Sequence, residues 1–108
     1  MNTIEYLQAV KTRLDITSDY ALAARLGITR SAVSKLQQGG VSFSDDVALT
    51  IADILNVHPL QVIAAANAER AKTPEQRARW SGVMEKFSLS FNLLLLGASP
   101  RQASFLTR

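Results

Sequence analysis

Between Asp19 and Gly39 the chain reads DYALAARLGITRSAVSKLQQG, two short helical patterns hinged on one glycine. Leu22, Ala23 and Leu26 fall on one face of the first pattern, and Gly27 follows the last of them. A glycine there can take the left-handed conformation that ends a helix. Ile28 plugs the core from the turn, Thr29 caps a second helix running to about Gln38, and Gly39 ends it. On that second helix Ala32, Val33 and Leu36 share one side. Arg30, Ser31, Ser34, Lys35 and Gln38 share the other. A small residue (Ala23) sits where two helices cross, Gly lies four residues on, Val33 six further and Leu36 three further. That spacing is the geometry of a helix-turn-helix, whose second helix presents an outward polar face sized for a DNA groove.

The remaining segments are helical by period. Ile4, Leu7, Lys11 and Leu14, with Val10 beside them, predict an amphipathic helix capped by Asn2 or Thr3. Ser18 or Thr17 caps the next, and Asp19 adds a favourable charge to its first turn. Gly39 to Phe43 is a loop, and Ser44 caps a helix carrying Val47, Ile51, Ile54 and Leu55, with Asn56 as its left-handed terminator. Pro59 opens a fifth helix with Leu60 and Ile63 inward. Thr73-Pro74-Glu75-Gln76 starts a sixth, with a capping box and proline at the first position. Trp80, Val83, Met84, Phe87, Phe91, Leu94 and Leu95 then continue at spacings of three and four, to about Leu96 with Gly97 as terminator. Alternation of Phe87, Leu89, Phe91, Leu93 and Leu95 also fits a strand, and periodicity alone does not separate the two. Residues 98–108 read as a flexible tail.

Composition narrows the function. The 108 residues leave room for one domain and a short appendage, and 47% hydrophobic with 19% charged residues is a globular balance. Without cysteine there are no disulfides, thiol chemistry or Cys-based zinc sites, and one His makes a metal site improbable. His58, before a proline, reads as a cap or surface residue. With no acid-base constellation and no phosphate-binding glycine loop, the expectation is a non-enzyme without cofactor or metal. No leader-like start or membrane-length apolar run is visible, and a cytoplasmic, nucleoid-associated protein is expected. Net charge is +3, unevenly placed. Residues 1–55 hold five basic and six acidic side chains, and 56–108 hold seven and three. Attraction to phosphate must come from local placement or from Arg70, Lys72, Arg77 and Arg79.

With one helix before and two after the helix-turn-helix, residues 3 to 68 resemble the lambda-repressor-like family of phage repressors and Cro-type regulators. The resemblance implies an all-α, five-helix DNA-binding domain over residues 1–71. Residues 72–97 would then add a C-terminal helix as a dimerisation element. It implies base or groove contacts from Thr29, Arg30, Ser31, Ser34, Lys35 and Gln38, with Arg30 and Lys35 suited to guanine O6 and N7. It implies phosphate contacts from Ser18, Tyr20, Gly40 and Ser42. Two departures stand out. The family often places Gln where Asp19 stands, and here the loop after the second helix has no Lys or Arg. The segment AERAKTPEQRARW (Ala68 to Trp80) is similar to small phage-related regulators. The expected function is a homodimeric phage or prophage repressor on double-stranded DNA, with an inverted-repeat operator. Trp80, Val83, Met84, Phe87, Phe91, Leu94 and Leu95 would form its interface. The alternatives are an antitoxin-like autoregulator that binds a partner protein through its C-terminal segment, and an interaction module without DNA affinity.

Overall fold

The computed structural model describes residues 1–95, with side-chain surroundings up to Phe87. The expected end at Gly97 and the tail at 98–108 lie outside the described residues, as do the side chains of Phe91, Leu94 and Leu95. Six helices follow in order and no strand occurs among the described residues: α1 (Thr3–Leu14), α2 (Asp19–Leu26), α3 (Arg30–Gln38), α4 (Asp45–Leu55), α5 (Pro59–Arg70) and α6 (Pro74–Leu95). The alternation from Phe87 to Leu95 is therefore carried on a helix.

The helix ends sit where short polar side chains and left-handed residues put them. Asn2 caps α1 in a full capping box with Glu5, each side chain accepting from the other's backbone N–H at 2.9 Å. Ser18, Thr29 and Ser44 accept from the N–H groups of Ala21, Ala32 and Val47. Gly27 (φ 71°) and Asn56 (φ 58°) close α2 and α4 in the left-handed region, and Asp15 (φ 56°) closes α1 the same way. At α6 the Gln76 N–H bonds Thr73 Oγ1 (3.1 Å), while the Gln76 side chain accepts from the Lys72 N–H rather than from Thr73. Each cap contributes about 1 kcal/mol, whereas full burial of one large aliphatic side chain contributes about 1.5–3 kcal/mol. Packing therefore dominates stability, and the caps decide where each helix stops.

The core is aliphatic and continuous through α1 to α5. Its fully buried members include Leu7, Val10, Leu22, Val33, Ile51 and Val62, with Tyr6 the largest. Leu22, Ala23, Leu26, Val33 and Leu36 point inward as their spacing predicts, and Ile28 packs against the core from the turn.

Three faces are rotated from expectation. On α1 the buried set is Thr3, Tyr6, Leu7 and Val10, while Ile4 is 46% exposed. The cause is polar as well as apolar: Thr3 reaches Glu69 of α5 through both its N–H (2.8 Å) and its hydroxyl. On α4, Ala48 and Ala52 are buried with Val47 and Ile51, and Ile54 and Leu55 are only half-buried. On α5 the inner residues are Val62, Ala64, Ala65, Ala66 and Ala68, while Leu60 is 40% exposed. That helix lies between two neighbours, α4 and α6, so small side chains are needed on more than one side.

Phe43, from the loop, is also core and meets Tyr6 edge-on at 6.0 Å. After a short connection α6 folds back antiparallel along α5. His58, at the start of α5, lies 4.5 Å from the Phe87 ring late in α6, and Met84 packs against the main core.

Candidate nucleic-acid interface

Helix α3 is held by its inner side, with Val33 and Leu36 buried, so its outer side is left free. Arg30, Ser31, Ser34, Lys35 and Gln38 are all exposed there, and Thr29 is exposed at the helix start. Two walls flank this face. On one side Arg30, Ser31 and Ser34 share a polar depression with Ser18, Asp19 and Tyr20 at the start of α2. On the other, Lys35 and Ala32 border a small apolar notch with Val41, Ser42 and Phe43 of the loop after α3. Residues expected to read bases thus lie between the two groups expected to touch phosphate. Another surface depression lies between α5 and α6, lined by Asn67, Arg70, Arg79 and Trp80 among others.

The capping hydroxyls have an additional use. Ser18 Oγ and Thr29 Oγ1 each accept from a backbone N–H three residues on, which leaves the O–H itself available as a donor. Tyr20, 71% exposed, projects from the first turn of α2. Gly40 is exposed, with φ 84°. Ser42 is half-buried and accepts from Arg70.

Asp19, the departure that stood against binding an anion, is electrostatically answered. Its Oδ1 lies 3.0 Å from Lys11 Nζ and accepts from Gln37 Nε2 at 2.9 Å. The Lys11 hydrogen bond holds its carboxyl below the usual carboxylate range. The Gln37 bond and the charges of Lys11 and Arg30 act in the same direction, against a smaller cost of desolvation. The carboxylate, partly exposed, is engaged by Lys11 and Gln37 and so ties α1, α2 and α3 together.

Two residues of this arrangement, Lys11 and Gln37, were not singled out from the sequence as site residues, and the clasp of Arg70 on the loop was not foreseen. Lys11 did carry a signal, since it occupies a position of apolar period on α1 where a lysine needs a partner. Arg70 stood out only as one of four basic residues that could attract phosphate, and Gln37 had no signal, because their partners come from other elements.

The comparisons with known proteins agree with this geometry. A helix-turn-helix family profile matches residues 7–62, from within α1 into α5. The chain is also similar to the uncharacterized protein Gp-c of Pseudoalteromonas phage PM2. The two are 32% identical over 83 residues, which cover 72% of this chain and 89% of that protein. No solved structure matches. No helix among the described residues is long and apolar enough to cross a membrane. With its helix-turn-helix match spanning α2 and α3 and its all-helical architecture, the chain belongs to the lambda-repressor-like helix-turn-helix family of DNA-binding regulators.

Proposed function

We propose that the protein is a sequence-specific binder of double-stranded DNA that acts as a dimeric transcriptional repressor of phage or prophage origin. The observation that carries the reading is the exposed polar face of α3 standing between the start of α2 and the loop after α3. Arg30 and Lys35 donate to guanine edges in the major groove, and Thr29, Ser31, Ser34 and Gln38 add shorter contacts. Ser18, Tyr20, Gly40 and Ser42 take the flanking phosphates. Residues 1–71 are the reader and 72–97 the pairing element. In support of pairing, Trp80 is 37% exposed on α6, next to half-buried Val83. Met84 and Phe87 already serve the chain's own core and α5, so their share of an interface is what they leave uncovered. A two-fold dimer sets its two α3 helices about 34 Å apart and reads an inverted repeat, and occupying it excludes polymerase. The similarity to a phage protein supports the origin.

Selection of bound duplexes from random DNA, followed by gel-shift titration, tests the reading. Arg30→Ala and Lys35→Ala should each cost about 1–3 kcal/mol of discrimination between the selected duplex and random DNA, with the fold intact by circular dichroism. If both variants bind the selected duplex like the parent, α3 is not the reader. Cutting the chain after Lys72 should give a monomer in sedimentation, and a truncated form that stays dimeric moves the interface off α6.

A further inference from the structure

The loop from α3 to α4 runs Gly39-Gly40-Val41-Ser42-Phe43 and has no cation of its own. The tertiary structure brings one to it. Arg70, the last residue of α5, donates from Nη1 to Ser42 Oγ and to the Phe43 carbonyl, both at 2.9 Å. From Nη2 it donates to Asn67 Oδ1 at 3.1 Å. Asp45 Oδ1 lies 3.8 Å from Nη2, within ion-pair range but too long for a hydrogen bond.

The guanidinium has five N–H groups. The two on Nη1 and one on Nη2 are engaged, so one on Nη2 and the one on Nε remain. The Arg70 side chain is 42% exposed, so water or an anion can reach it. Ser42 Oγ accepts from Arg70, which leaves the Ser42 O–H free to donate alongside it. A planar guanidinium edge beside a hydroxyl donor matches the oxygens of one phosphate. Arg79 lines the same depression as Arg70 and sets a second guanidinium on that flank.

We infer that Arg70 is a DNA-phosphate ligand supplied to the α3–α4 loop from the end of α5. With Nη1 it holds Ser42 and Phe43 in place, and with its free N–H groups it takes the backbone phosphate that the loop faces. This assignment rests on the reading of α3 as the DNA reader. It also accounts for how a loop without Lys or Arg can neutralise a phosphate, and it makes the α5–α6 hairpin part of the binding surface.

The test is the salt dependence of binding by the full chain, measured by fluorescence anisotropy on a selected duplex and on a random one. Parent, Arg70→Gln, Arg70→Lys and Arg30→Ala are compared after thermal melts confirm folding. For Arg70→Gln the slope of log K against log salt should flatten by about 0.9, one phosphate contact. Binding to both duplexes should weaken equally, so the preference is unchanged. Arg70→Lys keeps a charge in reach and should keep the parent's slope, while Arg30→Ala should lose preference instead. A parental slope in Arg70→Gln, or a slope lost equally in Arg70→Lys, would leave Arg70 as a loop clasp only and overturn the assignment. If the parent itself binds neither duplex in a salt-dependent way, the DNA reading fails first and this assignment with it.

Discussion

Lys11 of α1 and Asp19 of α2 form an ion pair, Nζ to Oδ1 at 3.0 Å, at the flank of the outer face of α3. The same Oδ1 accepts from Gln37 of α3, so one carboxylate joins the three helices that make up the reading unit. Lys11 is well covered and Asp19 partly open, with side-chain exposures of 15% and 40%. Solvent therefore reaches the pair mainly at Asp19.

Asp19 should make stability depend on acid pH. Its folded carboxyl is held below the ordinary 3.8, chiefly by the Lys11 hydrogen bond. Between the folded and unfolded values the unfolded chain binds the extra proton. The stabilisation is thus complete above the unfolded value and is lost as pH falls through the folded one. Asp19→Asn keeps an acceptor for Gln37 and removes the charge. It should lower the urea midpoint at neutral pH and lose part of the acid-limb slope. Parallel acid limbs for parent and variant would show that the pair does not contribute.

Gly27 should tolerate a side chain in space but not in backbone. A Cβ added there meets nothing within 4 Å, yet φ is 71°. Gly27→Ala should therefore cost about 1–2 kcal/mol, the penalty of the left-handed region for an L-residue. Gly27→Asn should cost less, since Asn tolerates that region. Urea unfolding of the two variants checks the order, and an equal or reversed order would point to a clash outside the backbone.

Tyr6 should matter for its ring and not its hydroxyl. The phenol oxygen is buried with no hydrogen-bond partner of good geometry, although the Gln61 side chain stands beside it. Burial raises its pKa above the ordinary 10.0, and Gln61 offsets part of that. Above pH 10 the unfolded chain releases this proton before the folded one does, so stability falls as pH rises through that window. Tyr6→Phe keeps the edge-on contact with Phe43. At neutral pH it should match the parent or gain up to about 1 kcal/mol. It should also lose less stability in alkali. A variant clearly weaker at neutral pH would mean that the hydroxyl has a partner, for example a bound water.

Helix positions and ends were legible because they depend on neighbours in sequence. Asn2, Ser18, Thr29, Ser44 and Gly27 act within a few residues, and each does in the structure what its type and place imply. The inner face of α3 was equally legible, since Ala32, Val33 and Leu36 are its apolar residues and the remainder is polar. Faces on α1 and α5 were harder to assign. Ile4 and Thr3 compete for the inside, and Glu69, distant in sequence, decides for Thr3. Alanines in α5 carry little hydropathic contrast, so nothing local says that two helices will press on them.

What the sequence by itself determined is the first five helices, their caps and the polar face of α3, along with the family to which such a spacing belongs. All of these follow from short-range periodicity and backbone preference. The choice of helix over strand from Phe87 to Leu95 came from the structure. Only the tertiary structure decided how charge is arranged around that face. It cancels Asp19 with Lys11 and sets Arg70 against a loop that has no cation. Pairings such as Arg70 with Ser42, 28 residues apart, depend on how helices pack, and packing is settled by the whole core at once.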